Sequence, residues 1–159
     1  MPEVVSNASP LIALAGIEQL ELLRRLFGRV AIPPAVRDEV RDDRTRTALQ
    51  AADWITTRPV RDTFAVQVLR ESLGAGESEA IVLAQELSAD WLLLDDRTAR
   101  RKAEATGLRV IGTLGLLLMG KSAGYLSELK PLLDGLRQTD FYLSTDLYTL
   151  ILKQAGEGM

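Results

Sequence analysis

The 159-residue chain contains no cysteine and no histidine. The first absence removes disulfides and thiol nucleophiles. Together they remove Cys/His zinc sites and every mechanism that needs an imidazole base. What remains for catalysis is carboxylate chemistry, whose natural metals are hard, oxygen-seeking cations such as Mg²⁺ or Mn²⁺. Aromatic residues are scarce, two Trp, three Tyr and three Phe, so base stacking is not expected to dominate any recognition of nucleic acid. A dominant charge is lacking too: 19 Lys and Arg stand against 22 Asp and Glu, a formal net charge of −3. Nucleic-acid binding would therefore have to come from a local basic patch and not from the whole-protein field. The apolar start of the chain has no basic segment before it and carries Glu3, unlike a signal peptide. The most apolar later stretch, Val110 to Met119, is too short to cross a bilayer, which takes about 20 residues. A cytoplasmic protein with no membrane attachment is the expectation.

What is present is ordinary for a globular chain: 47% hydrophobic and 26% charged residues, enough to bury a real core in one domain, residues 1–159. Short β-rich runs alternate with helical periodicity. Val4-Val5-Ser6, Val30-Ala31-Ile32, Trp54 to Thr57, Trp91 to Leu94 and Arg109-Val110-Ile111 read as strands. Ser9 before Pro10 reads as an N-cap and first helical position, and Pro33-Pro34 opens a helix from Ala35 to Arg41. Asp62 is a plausible cap for a helix to about Ser72. Further helices are predicted over Glu18–Phe27, Thr45–Ala52, Glu77–Leu87, Thr113–Met119, Leu126–Leu136 and Ser144–Gln154, with Gly28, Gly107 and Gly156 as terminators. This alternation predicts an α/β fold, a central mostly parallel sheet with helices on both faces.

The chemistry concentrates at Trp91-Leu92-Leu93-Leu94-Asp95-Asp96-Arg97-Thr98-Ala99-Arg100-Arg101. A buried strand delivers two adjacent carboxylates, and a helix bearing Arg97, Arg100 and Arg101 follows. In open parallel sheets ligands sit beyond the carboxyl ends of the strands. Asn7 and Ser9 follow the first strand at that edge, and helix starts there bring in Glu77 and Glu39. Each residue has a bland reading: Ser9-Pro10 as a helix start, Asn7 as a turn residue, Glu39 on a solvated face, Glu77 and Glu79 favoured by the helix macrodipole. Two acids at Asp95-Asp96, however, are one more than a cap needs. Arg97, Arg100 and Arg101 suit RNA phosphates or a solvated face equally. Arg24, Arg25, Arg37, Arg41, Arg44 and Arg46 form a second basic region with acids interleaved.

Four motifs occur in order: Val4-Val5-Ser6-Asn7-Ala8-Ser9-Pro10-Leu11-Ile12, Pro33 to Val40, Gly74-Ala75-Gly76-Glu77-Ser78-Glu79-Ala80-Ile81, and Leu94-Asp95-Asp96-Arg97-Thr98-Ala99-Arg100. Together they resemble the motifs of PIN-domain proteins, most closely the VapC-like branch found in prokaryotic toxin–antitoxin modules. The resemblance implies a single PIN-like domain and a Mg²⁺- or Mn²⁺-dependent ribonuclease in which acids hold one or two metals that activate water. Carried over by motif, the metal ligands and catalytic residues are Glu39, Glu77, Asp95 and Asp96. The first-strand position falls at Asn7, where the family usually has Asp. The partners it implies are RNA, a small antitoxin protein and a second copy in a homodimer, with the helices at Thr113–Met119 and Leu147–Leu152 as a dimer surface or as core. Because an amide brings no charge, a catalytically weakened RNA- or antitoxin-binding protein stands beside the nuclease reading. An aspartyl phosphatase fits less well, since Asp95-Asp96-Arg97-Thr98 lacks the Asp-x-Asp-x-Thr spacing.

Overall fold

The computed structural model describes residues 1–158. The chain runs through β1 (Val4–Ser6), α1 (Ala8–Gly16), α2 (Glu21–Phe27), β2 (Val30–Ile32), α3 (Pro34–Glu39), α4 (Asp43–Ala51) and β3 (Ile55–Thr57). It continues through α5 (Thr63–Leu69), α6 (Ala75–Glu86), β4 (Trp91–Leu93), α7 (Arg97–Ala105), β5 (Val110–Ile111), α8 (Thr113–Ser122), α9 (Lys130–Arg137) and α10 (Thr145–Gln154). The five strands form one sheet in the order β3-β2-β1-β4-β5, and every pairing is parallel.

The strand sequences explain their places. Every residue of β1 and β2 is buried. Successive side chains point to opposite faces, so full burial requires cover on both sides, as predicted for a parallel sheet. The outer strands differ: Thr56 and Thr57 of β3 are exposed and both residues of β5 are only half-buried. With right-handed crossovers, the β1–β2 and β2–β3 connections put their helices on one face and the β3–β4 and β4–β5 connections on the other. Leu11 and Leu14 of α1, Ile81 and Leu83 of α6, Leu92 to Leu94 and Leu116 and Leu117 of α8 are at most 1% exposed. Each such side chain contributes on the order of 1.5–3 kcal/mol by leaving water.

Most elements fall near where the periodicity puts them; several boundaries shift by a few residues, and four helix starts do so for identifiable reasons. The Ser9-Pro10 pair does not start the first helix. α1 begins at Ala8, with Asn7 as N-cap residue making no capping hydrogen bond. Pro10 sits within the first turn, where its missing N–H has no intrahelical partner to lose. α2 begins only at Glu21, after a turn through Glu18, whose φ is +57°. α6 begins at Ala75 instead of Glu77, because Gly74 takes the N-cap and Ala75 and Gly76 join the first turn. α9 begins at Lys130, not Leu126, where Glu157 accepts the N–H groups of Leu129 (2.7 Å) and Lys130 (3.0 Å). Asp62 and Ser144 cap α5 and α10 as expected, and Gly28 closes α2 with φ +85°.

Candidate functional site

The ends of β1 and β4 lie side by side, Ser6 in register with Leu93, and the Asn7 N–H donates to the Leu93 carbonyl at 2.9 Å. From there β1 leads toward β2 and β4 toward β5, so the two exits diverge. Such a switch point leaves a crevice at the carboxyl edge of a parallel sheet, and Asn7, Asp95 and Asp96 surround it.

Asp95 is the most committed of the acids. Its Oδ1 accepts the Thr113 N–H at 2.7 Å, and its Oδ2 accepts the Thr113 hydroxyl at 2.8 Å and the Ser9 hydroxyl at 2.9 Å. One carboxylate thus ties the turn after β1 to the start of α8. Gly112 is required beside it, because a Cβ there would stand 2.8 Å from Asp95 Oδ1 and 3.1 Å from the Arg100 guanidinium. Asp96 is exposed and caps α7, its Oδ2 accepting the Ala99 N–H at 2.9 Å. Its Oδ1 has no hydrogen-bond partner among the described residues.

The two glutamates arrive from helices. Glu77 reaches back from the first turn of α6 to the Gly74 N–H at 3.2 Å. Glu39, the last residue of α3, accepts the Gly76 N–H at 2.8 Å, so it caps α6 from a neighbouring helix. Gly76 permits that approach, since a Cβ would lie 2.7 Å from the Glu39 carboxyl carbon. Glu79 answers in the other direction, accepting the Ala35 N–H of α3 at 3.0 Å. Burial is the largest influence on Glu77 and pushes its carboxyl above the ordinary range; the Gly74 N–H opposes this, and the charges of Asp96 and Glu39 reinforce it. Glu77 therefore lies in the field of two other carboxylates.

Asn7 is 5% exposed, and its Oδ1 accepts no hydrogen bond among the described residues. A buried acceptor left bare costs on the order of 1–3 kcal/mol unless something meets it. No three acids among the described residues form a group placed to hold a metal ion. As they stand, Glu39, Glu77 and Asp96 each spend one oxygen on a helix-start N–H. The remaining donors are all oxygens, which is the chemistry a hard divalent cation takes.

Asn7, Glu77, Asp95 and Asp96 line a cleft of about 900 Å³ together with Arg97, Arg100 and Arg101. The sequence marks those residues but not Gly112, Asp140, Phe141 or Tyr142, and it marks Thr113 and Leu147 only as parts of apolar helices. Thr113 follows the fifth strand at the same sheet edge, a placement that marks it in retrospect. Of the far wall, Asp140 to Tyr142 lie in a connection with no periodicity to flag them, while Ser144 and Leu147 belong to the cap and first turn of α10.

Fold and site together define an α/β protein with an acidic, arginine-bordered cleft at the switch point of its parallel sheet. The chain belongs to the PIN-domain family, whose model matches residues 3–157. Members are nuclease-like, bind nucleic acid and generally depend on divalent metal ions. No curated protein matches the chain. No described helix is long and apolar enough to cross a membrane.

Proposed function

We propose that this protein is an endoribonuclease that hydrolyses RNA phosphodiesters with Mg²⁺ or Mn²⁺, acting as the toxin of a VapC-like toxin–antitoxin module in the cytoplasm. The single observation that carries the reading is the placement of Glu77 in the field of Asp96 and Glu39, on a cleft that also holds Asn7, whose buried Oδ1 has no partner among the described residues. Like charges so placed favour neutralisation by a cation, and Asn7 offers that cation a fourth oxygen. Glu39, Glu77 and Asp96 would hold the metal, with Asn7 as a neutral donor and Asp95 fixing the frame around it. When bound, a divalent ion supplies an activated water and charge neutralisation at the phosphate. Arg97, Arg100 and Arg101 border the same cleft and would position the phosphate backbone.

The partners follow in the same terms. Of the two apolar helices considered for a dimer surface, α8 spends Leu116 and Leu117 on the core, whereas Leu147 and Leu150 of α10 are 37% and 47% exposed. We therefore assign α10 to contact with a second copy or with a small antitoxin. Incubation of the purified protein with structured RNA and Mn²⁺, beside an Asp96→Asn variant, tests the activity. Cleavage is expected from the wild-type protein alone, and equal cleavage by both would sink the reading.

A second reading rests on Asn7 and on Asp95, whose oxygens are largely spent on Ser9 and Thr113. With two acidic positions so reduced, the protein would bind RNA or an antitoxin and cut slowly. Asn7→Asp separates the two: a large gain in nuclease rate favours the weakened enzyme.

A further inference from the structure

Two of the few aromatic side chains, Phe141 and Tyr142, stand on the connection 138–144 between α9 and α10, and both line the cleft that holds Glu77 and Asp96. Tyr142 is 86% exposed, so its ring serves no core. Phe141 also lines a second cavity, of about 690 Å³, whose wall includes Glu39, Arg41 and Arg44. The two cavities share Ser9, Asp140 and Phe141. They adjoin there, and taken as one groove they carry Glu77, Asp96, Arg97, Arg100 and Arg101 in one half and Glu39, Arg41 and Arg44 in the other.

The connection is held in place from both sides. The Tyr148 hydroxyl donates to Asp134 at 2.6 Å, and the Arg137 guanidinium lies 3.7 Å from the centre of the Tyr148 ring, tying α10 to α9. The Phe141 N–H donates to the Thr139 hydroxyl at 3.2 Å, and Ser144 caps α10 through the Leu147 N–H at 3.1 Å. A connection whose backbone is held in this way needs less ordering when a ligand binds. Asp140 sits beside the rings and repels phosphate, which leaves the rings to a base.

We propose that Phe141 and Tyr142 form a stacking platform for one unpaired base of a single-stranded nucleic acid lying along this groove. Its phosphates run from Arg97, Arg100 and Arg101 at one end to Arg41 at the other. Arg44 contributes less, since it donates to the Gly16 carbonyl at 3.0 Å. The inference rests on reading the acids as a nuclease centre and adds the feature that selects the strand. A base in a duplex has both faces covered by its neighbours and cannot use the platform; an unpaired one can, whatever its identity.

Fluorescence anisotropy with a labelled RNA of about ten nucleotides, a length within the span one such binding surface covers, tests this. The strand is presented single and as a duplex, in EDTA and again with Ca²⁺, and gels verify that it stays intact. Tyr142→Ala is expected to weaken single-strand binding by about ten-fold and to leave duplex binding unchanged, while Tyr142→Phe keeps the affinity. The salt dependence of Tyr142→Ala stays that of the wild type, whereas Arg101→Ala lowers the slope by about 0.7. Wild-type affinity in Tyr142→Ala, or an equal loss for duplex, overturns the platform and leaves the nuclease reading intact. Failure of the wild-type protein to bind either RNA overturns both. A change of oligomeric state in Tyr142→Ala, seen by sedimentation velocity, also overturns the platform, because the ring would then belong to a protein interface.

Discussion

The Ser9 hydroxyl donates to Asp95 at 2.9 Å across a separation of 86 residues, and the same carboxylate holds both the N–H and the hydroxyl of Thr113. Asp95 is thereby a fastener of three segments, while its neighbour Asp96 keeps an oxygen for other work. Adjacent residues of one type have been given different duties by the strand-to-helix turn that separates them.

That division predicts opposite phenotypes for two isosteric changes. Asp95→Asn places an amide where Thr113 offers two donors and is expected to cost about 2–3 kcal/mol, the penalty for disrupting charged hydrogen bonds. Asp96→Asn keeps a good N-cap, so its stability stays within about 0.5 kcal/mol, while nuclease activity falls by orders of magnitude. Urea melts of both variants check the first part. A larger loss from Asp96→Asn would reverse the assignment.

The two glycines that face carboxylates should respond differently to alanine. At Gly76 the added Cβ meets the far end of Glu39, a flexible side chain that can swing aside. Gly76→Ala is expected to cost below about 1.5 kcal/mol but to uncouple Glu39 and lower activity. At Gly112 the obstacle is Asp95 Oδ1 at 2.8 Å, already pinned by Thr113. Gly112→Ala is expected to cost more, about 1–3 kcal/mol. Thermal melts paired with single-turnover cleavage rates distinguish the two.

Glu157 gives a pH dependence far from the cleft. Burial tends to raise its carboxyl, but Lys121 (2.7 Å) and the N–H groups of Leu129 and Lys130 outweigh burial and hold it below its ordinary 4.5. A carboxyl lowered in the folded state stabilises the fold above its unfolded value, and the contribution disappears as pH falls through the folded value. Stability is thus expected to drop on acidification below about pH 4.5, with a smaller drop in Glu157→Gln. Parallel curves for the two proteins in denaturant titrations from pH 6 down to about 3, the span across which a lowered carboxyl gives up its contribution, would count against it.

Asn7→Asp should make stability depend on metal. Without a cation, a new charge near Glu77 and Asp96 is destabilising; with Mn²⁺ the same charge becomes a ligand. The expected result is a lower melting temperature in EDTA and a larger Mn²⁺-induced rise than in wild type, read by thermal shift. An unchanged metal response would mean that Asn7 does not face the cation.

Much of this arrangement was legible because it rests on local rules. Alternating strands and helices gave the parallel sheet, and strand-end polar residues marked the edge where Asn7, Asp95 and Asp96 gather. The roles inside the site were less legible. Ser9 before Pro10 satisfies every rule for a helix start, yet its hydroxyl is taken by an acid from another strand. Glu39 reads as a metal ligand or a solvated charge and Glu79 as an acid favoured by its own helix's macrodipole, but α3 and α6 exchange them across their N-termini. Such pairings depend on tertiary distance, which no periodicity encodes. Phe141 and Tyr142 are beyond sequence reading for the same reason.

The dispersal of the site along the chain also sets when it comes into being. Asn7, Glu39, Glu77 and Asp96 belong to four separate segments, and the carboxylate that frames them waits for Thr113. During synthesis, β1 to β3 can emerge and begin to pack, but the order β3-β2-β1-β4-β5 inserts β4 beside β1 only after more than half the chain has left the ribosome. A nascent or half-folded molecule therefore holds scattered acids and no centre. Any hydrolytic capacity would switch on late and all at once, when the last of these segments docks.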